Sequence, residues 1–234
     1  MLAALVLALA PAAIGSWPGE DEIPAVAYPA LLERSETPEG FVPTGWKLDK
    51  LASGDLNGDG RADLALVLQK TDPANLVKRW AGDDARFDTN PRVLLVAFCN
   101  RDEGFTRVAT DYRLISRLTN GNMDDPFASI AIHKGVLRVG LQVFMNAGGW
   151  WAGSYAFRFR WQGRDFRLIG YDRSGIKRNT LEADGLSINY LTGDRIVSGS
   201  GPEESKPWSK RQRVARMPLI KLGEIGDGLE FEVR

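Results

Sequence analysis

A short stretch of acidic and amide residues carries the clearest chemistry in this sequence. Residues 54–63 read Gly-Asp-Leu-Asn-Gly-Asp-Gly-Arg-Ala-Asp. Calcium takes roughly six to eight hard oxygen ligands, and side chains at alternate positions of a tightly turned loop converge on one point. We therefore expect a Ca²⁺ site at residues 55–63. Its predicted ligands are the side chains of Asp55, Asn57, Asp59 and Asp63, the last directly or through water, and the backbone carbonyl of Arg61.

Two other interpretations of this loop have to be weighed against calcium. An EF-hand needs a bidentate Glu at the twelfth loop position, which here is Leu66, so this sequence does not fit an EF-hand. The other interpretation is a turn whose carboxylates only accept hydrogen bonds from nearby backbone N–H groups. Three carboxylates within nine residues repel one another in the absence of a cation, which favours calcium.

A second candidate site contains two adjacent tryptophans among small residues. Trp150 and Trp151 lie in the sequence Asn-Ala-Gly-Gly-Trp-Trp-Ala-Gly. Aromatic faces stack on sugar rings, so Trp150 and Trp151 form a candidate platform for carbohydrate or another component of the cell envelope. The alternative is that both rings close the end of the hydrophobic core.

Basic residues are concentrated near the C-terminus, around Trp208. Lys206, Lys210, Arg211, Arg213 and Arg216 would either face an anionic polymer or lie on a solvated sheet edge, where charges deter unwanted strand pairing. Glu203 and Glu204 precede this cluster and favour the solvated edge.

No catalytic motif is recognisable in the chain. Nucleophile elbows, zinc-protease helices, phosphate loops and paired-cysteine sites are all missing from the sequence. The single cysteine, Cys99, ends an apolar run and is expected to be a buried, inert thiol. A hydrolytic pair of carboxylates stays open as an alternative, and its candidates are Asp83, Asp84, Asp124, Asp125 and Glu182.

The elements that must position these residues are mainly strands. Residues 63–68 and 92–98 are apolar on both alternating faces, which is typical of central strands. Residues 136–144 and 155–162 alternate between apolar and polar, which predicts strands with one solvated face. Further strands are expected at 129–132, 165–171, 186–191 and 229–233. The prediction is a mainly β fold of antiparallel sheets, either a β-sandwich or a partial propeller-like arrangement.

One short helix is expected in an insert between the two central strands. Asp72 is a good N-cap and Pro73 suits the first helical turn, so this helix should run to about residue 80.

Composition and the N-terminus limit the function classes. Lys and Arg together number 30, as do Asp and Glu, so the chain lacks the basic excess of a nucleic-acid-binding protein. The apolar run Leu2–Ile14 is too short to cross a bilayer and predicts a signal peptide over residues 1–15. We expect an extended lead-in over 16–45, a single β-rich domain over 46–234, no transmembrane segment in the mature chain, and a secreted or periplasmic location.

The calcium loop and its surroundings resemble one FG-GAP or VCBS-type repeat. The resemblance covers about residues 46–108: the loop, the apolar residues 64–67, the strand Val93-Leu94-Leu95-Val96, and Asn100 to Phe105. It implies that the loop links two strands of a propeller blade and that Asp55, Asn57, Asp59, Arg61 and Asp63 hold calcium. The loop occurs once, whereas a propeller repeats its blade.

Three functions follow as expectations. The first is a calcium-stabilised β-rich binding or structural protein of unidentified partner. The second is a polysaccharide-acting enzyme that uses two carboxylates near Trp150 and Trp151. The third is an FG-GAP-like adhesion module.

Overall fold

The computed structural model describes residues 23–79, 84–201, 206–215 and 217–233. The expected signal peptide over 1–15 lies outside these residues. Within them, the strands are β1 Arg34–Ser35, β2 Trp46–Gly54, β3 Asp63–Lys70, β4 Leu76–Lys78, β5 Arg86–Asp88, β6 Arg92–Cys99, β7 Phe105–Asp111, β8 Phe127–His133, β9 Val136–Phe144, β10 Trp151–Gln162, β11 Asp165–Lys177, β12 Ala183–Asn189, β13 Asp194–Ser200 and β14 Trp208–Arg213.

These strands form two large antiparallel sheets and one small one. The five-stranded sheet has the order β1-β7-β6-β3-β2, the seven-stranded sheet has the order β14-β13-β12-β11-β10-β9-β8, and β4 pairs with β5. The two large sheets face each other across a shared apolar core, and β2 lies beside β8 where their edges approach. The fold is therefore mainly β and antiparallel, as the sequence predicts, and it fits a β-sandwich.

The core explains why two strands are apolar on both faces. Ala65 and Val67 of β3 pack into the core between the sheets, while Leu64, Leu66 and Leu68 point to the opposite face. A second cluster around Phe41, supplied by the lead-in, covers that opposite face. Because β3 and β6 are buried on both sides, the prediction that they are central strands is confirmed.

The seven-stranded sheet has one face in the core and one face in solvent. Phe157 and Phe159 of β10 point into the core together with Tyr171 of β11, whereas Arg158 and Arg160 lie on the other face. We call these the inner and outer faces. The C-terminal segment crosses the inner face, where Phe231 contacts the rings of Phe157 and Tyr171.

Two elements differ from the expectation. The helix of the insert is a 3₁₀ turn of three residues, Pro73–Asn75, capped by the Asp72 side chain. It ends early because residues 76–78 pair with 86–88 as a hairpin. The predicted strand at 229–233 is not a strand, although its apolar residues pack on the core. The alternation of apolar and polar residues in this segment therefore reflects the burial of one side of an extended chain that does not pair as a strand.

Cys99 also departs from expectation, since it is only partly buried at the end of β6. The segment over 23–45 is mostly extended, with β1 and a 3₁₀ turn at Glu39–Phe41. No helix in the described part of the chain is long and apolar enough to cross a membrane.

Two tyrosines in or against the core between the sheets are expected to make stability sensitive to alkaline pH. Burial raises the pKa of Tyr171 and of Tyr190 from the usual 10 to about 12. The neutral phenol is therefore favoured by folding. Between pH 10 and 12 the unfolded chain loses protons that the native protein keeps, so stability is complete below pH 10 and falls as pH rises through this window.

We expect the free energy of unfolding to fall by up to about 1 kcal/mol per pH unit for each tyrosine in that window. Tyr171 is 1% exposed, and its replacement tests one of these two contributions. Urea unfolding at pH 9 and pH 11 measures the fall. Other groups titrate in this range as well, so wild type is compared with Tyr171→Phe, whose fall should be smaller. An equal fall in both proteins would contradict the prediction.

Candidate metal loop and aromatic platform

The loop between β2 and β3 begins after Gly54 and ends at Asp63, where β3 enters the core. Gly58 and Gly60 have φ values of 84° and 82°, in the left-handed region that glycine adopts without strain. These two glycines fold the loop back on itself and bring its backbone N–H groups toward the preceding side chains.

Asp55 receives two of these N–H groups. One carboxylate oxygen accepts a hydrogen bond from Gly58 N at 2.6 Å, and the other accepts from Gly60 N at 2.9 Å. The hydrogen bonds from Gly60 and Gly58 lower the pKa of Asp55, so its carboxylate is ionised at neutral pH.

Asn57 and Asp59 continue the pattern on the same turn. Asn57 Oδ1 accepts a hydrogen bond from Asp59 N at 2.9 Å, and Asp59 Oδ1 accepts from Arg61 N at 2.9 Å. The second oxygen of Asp59 contacts Asn57 Nδ2 at 3.1 Å and the Arg61 guanidinium. The guanidinium thus provides positive charge beside Asp59.

Asp63 differs from the other three side chains because it is fully buried. Its carboxylate accepts hydrogen bonds from Leu56 N at 2.8 Å and from Cys99 N at 2.9 Å. Burial raises its pKa. Asp63 therefore fastens the start of the loop to the end of β6, the neighbouring strand.

The structure thus gathers the predicted ligands in one loop, but it also gives the carboxylates backbone partners. Among the described residues, no three carboxylate, imidazole or thiol groups converge closely enough to hold a metal ion together. The donor set still has the chemistry of a hard-cation site, because each carboxylate oxygen carries a second lone pair beyond its N–H partner. Calcium binding at this loop stays a prediction.

The two tryptophans of the candidate platform have different surroundings. Trp150 is 65% exposed, whereas Trp151 is partly buried at the start of β10. The Trp151 indole lies over Gly153 and Gly175, which pair across β10 and β11. A Cβ at either glycine would overlap the ring. Because neither glycine has a side chain, the ring can lie directly on the backbone of both strands.

A polar group on the next strand holds the Trp151 ring in place. The indole Nε1 donates a hydrogen bond to Asp184 of β12 at 3.2 Å, and Asp184 also forms an ion pair with Arg173 at 2.8 Å. Sequence reasoning missed Asp184 and the two glycines. The available signal was glycine within a strand pattern, which marks a close approach of another group to the backbone.

The carboxylates considered for hydrolysis are bound to other groups. Asp125 pairs with Arg92, Asp124 accepts a hydrogen bond from Asn146, and Glu182 pairs with Lys177. Asp84 pairs with Lys78 in the insert, and Asp83 lies outside the described residues. Each of the described candidates thus has its own local partner.

Comparisons with known proteins add no family to this description. No protein-family model, curated protein or solved structure matches the chain.

Proposed function

We propose that the chain is a secreted or periplasmic β-rich binding or structural protein whose central strands are stabilised by one calcium ion. The observation that carries this proposal is the position of the oxygen-rich loop, which directly precedes β3. Seven of the eight residues of that strand are buried. Any ligand that orders the loop would therefore stabilise the strand on which both hydrophobic clusters depend.

The residues that would hold the ion are Asp55, Asn57 and Asp59 through side-chain oxygens and Arg61 through its carbonyl. Asp63, whose bonds to Leu56 N and Cys99 N position the loop, would complete the set directly or through water. When bound, calcium would supply positive charge that offsets the repulsion between the loop carboxylates. The Arg61 guanidinium, which contacts Asp59, would have to yield its place at that oxygen.

The resemblance to an FG-GAP or VCBS-type repeat is also part of the proposal. Residues 46–108 contain β2, β3, β6 and the first part of β7, and these four strands are neighbours in the order β7-β6-β3-β2. Four antiparallel strands in sequence order are the form of one propeller blade. This supports a single repeat built into one sheet of a sandwich. We favour this over an adhesion propeller, which needs several blades.

Calcium is expected to raise the melting temperature of the wild-type protein relative to excess chelator. The twelfth loop position is Leu66 rather than Glu, so the dissociation constant should lie near the weak end, about 10⁻⁴ to 10⁻³ M. When the calcium concentration is a hundred times the dissociation constant, the free energy of unfolding rises by about 2.7 kcal/mol. For a chain of this size that raises the melting temperature by about 5–10 °C. Magnesium, which dehydrates reluctantly, should give a smaller shift.

Two alanine variants separate metal binding from the structural role of the turn. Asp59→Ala should lose most of the calcium-dependent shift, while Asp84→Ala should keep it, because the Asp84 side chain is fully exposed in the insert. Each variant is measured both in calcium and in chelator, so that the loss of a turn hydrogen bond is removed by subtraction. Equal melting temperatures of wild type in both conditions, with no binding heat in calorimetry, would refute the calcium proposal.

A further inference from the structure

A row of residues crosses the inner face of the seven-stranded sheet beyond the core. Direct cross-strand partners share a face, so Gly153, Gly175, Asp184, Gly199 and Trp208 line up across β10 to β14. Three of these five residues are glycines. On β10 the row lies one inner-face position from Tyr155, at Gly153. The Tyr155 ring itself contacts Trp151, with ring centroids 6.0 Å apart.

Indole rings occupy the space above all three glycines. Trp151 covers Gly153 and Gly175, and Trp208 covers Gly199, where a Cβ would lie 2.9 Å from the ring. Trp208 is 53% exposed and Trp151 is partly buried. Both rings therefore rest on the bare backbone of the sheet. We call Trp151, Trp208 and the row between them the aromatic strip.

The two rings are spaced for an extended ligand. Gly175 lies on β11 and Gly199 on β13, two strand spacings apart, which is about 10 Å. A short oligosaccharide spans this distance. Between the rings, the Asp184 carboxylate and the Arg173 guanidinium offer hydrogen-bonding groups that are already fixed by each other and by Trp151 Nε1.

Two lysines lie on the β14 side of the strip. Lys210 shares the face of Trp208, and Lys206 precedes the strand. Asp194 forms ion pairs with Arg211 and Arg213, but no ion pair among the described residues engages Lys206 or Lys210. Lys206 and Lys210 thus place two cations beside an exposed aromatic ring. Glu203 and Glu204, which precede Lys206 in the chain, lie outside the described residues.

We propose that the aromatic strip binds an acidic polysaccharide, with sugar rings stacked on Trp151 and Trp208 and carboxylates of the glycan facing Lys210 and Lys206. The proposal gives a ligand class to the binding protein proposed above, and so rests on that function, but it does not depend on calcium. A stacked sugar needs a flat, firmly supported ring, which the glycine seats provide. Backbone phosphates would need a broader basic surface than this edge offers.

Titration with oligogalacturonate tests the strip, using calorimetry or quenching of tryptophan fluorescence. Trp208→Ala and Trp151→Ala should each weaken binding about tenfold or more, as expected for central aromatic contacts. Trp208 is the more exposed of the two, so its removal should leave the melting temperature nearly unchanged. Lys210→Glu should also weaken binding, and affinity should fall with added salt.

Matched controls address the rings and the charge separately. Trp150→Ala removes an indole outside the strip that is more exposed than Trp208, and it should change affinity less than about twofold. Lys134→Glu reverses a charge in the turn between β8 and β9, distant in the sheet order, and should likewise have little effect. Methyl-esterified oligogalacturonate keeps the sugar rings but lacks the negative charge, and should bind more weakly.

Several outcomes would overturn the proposal that the aromatic strip binds an acidic polysaccharide. These are no binding of oligogalacturonate at millimolar concentration, unchanged affinity in Trp208→Ala, or equally tight binding of polyphosphate or single-stranded DNA. Because galacturonate carboxylates themselves bind Ca²⁺, the glycan titration is run without added calcium and the calcium-dependent shift is measured without glycan, which separates the two proposals. Loss of glycan binding with an intact calcium shift refutes the strip alone, and glycan binding without any calcium shift refutes the metal site alone.

Discussion

Replacing Arg92 by alanine is expected to lower the free energy of unfolding by about 3 kcal/mol. The Arg92 side chain is 9% exposed and donates to Asp49 at 2.8 Å and to both oxygens of Asp125 at 2.9 and 2.6 Å. It also lies 5.3 Å from the ring centroid of Phe127. One guanidinium thus ties β2 and β6 of the first sheet to the segment that begins the second.

The magnitude follows from what the substitution leaves behind. Asp49 is mostly buried and would lose its ion-pair partner, while Asp125 is about half exposed and could be solvated by water. This places the loss near the lower end of the range for broken buried ion pairs. Arg92→Lys should fall between the two proteins, since one ammonium cannot reproduce the forked contacts.

Urea or guanidinium unfolding measures this loss, with Lys177→Ala as the control. Lys177 pairs with Glu182 at 2.8 Å, but both side chains are exposed, so its removal should lower the free energy of unfolding far less than Arg92→Ala does. If Arg92→Ala costs no more than Lys177→Ala, the ion pairs of Arg92 do not join the sheets energetically.

The second large effect is expected at Asp63. Asp63→Ala removes the acceptor for two N–H groups, that of buried Leu56 and that of partly buried Cys99, and an unsatisfied buried donor costs about 1–3 kcal/mol. The substitution also removes a carboxylate whose burial is unfavourable, and this offsets part of the cost. We therefore expect a net loss of about 2–4 kcal/mol, measured by denaturant unfolding.

Hydrogen exchange makes the Asp63 test specific. Exchange at the amides of Leu56 and Cys99 should accelerate more than exchange in β9, because the substitution releases the loop from β6 locally. Asp63→Asn should be similarly unstable, since its amide has one acceptor and would direct an NH₂ group at the other donor. Asp102→Ala, in the exposed turn after β6, serves as the control. Unchanged protection at both amides would contradict the prediction.

The sequence predicts the central strands well because strands that are buried on both faces have a distinctive, continuously apolar composition. β3 and β6 are apolar at consecutive positions, and only a strand covered on both faces tolerates that pattern. β9 and β10 show clear alternation for the same reason, with one face in the core. The edge strand β14 has no comparable hydrophobic pattern. All six residues of β14 are exposed, and only backbone pairing with β13 makes them a strand.

For the candidate sites, the amino-acid sequence by itself determined the local chemistry. The spacing of Asp55, Asn57 and Asp59, with glycines at the required turns, places their oxygens in one loop because the residues are close in the chain. The burial of Asp63 and its bond to Cys99 N, 36 residues away, depended on the pairing of β3 with β6.

Only the tertiary structure decided which aromatic residues share a face. Trp150 and Trp151 are adjacent in sequence, yet the Trp151 ring lies over the same row of residues that contains Trp208, on the edge strand of the same sheet. Strand register brought them to one face by placing Gly153, Gly175 and Gly199 opposite one another and opposite Asp184 and Trp208. Register is a property of several paired strands at once, so no single stretch of sequence encodes it.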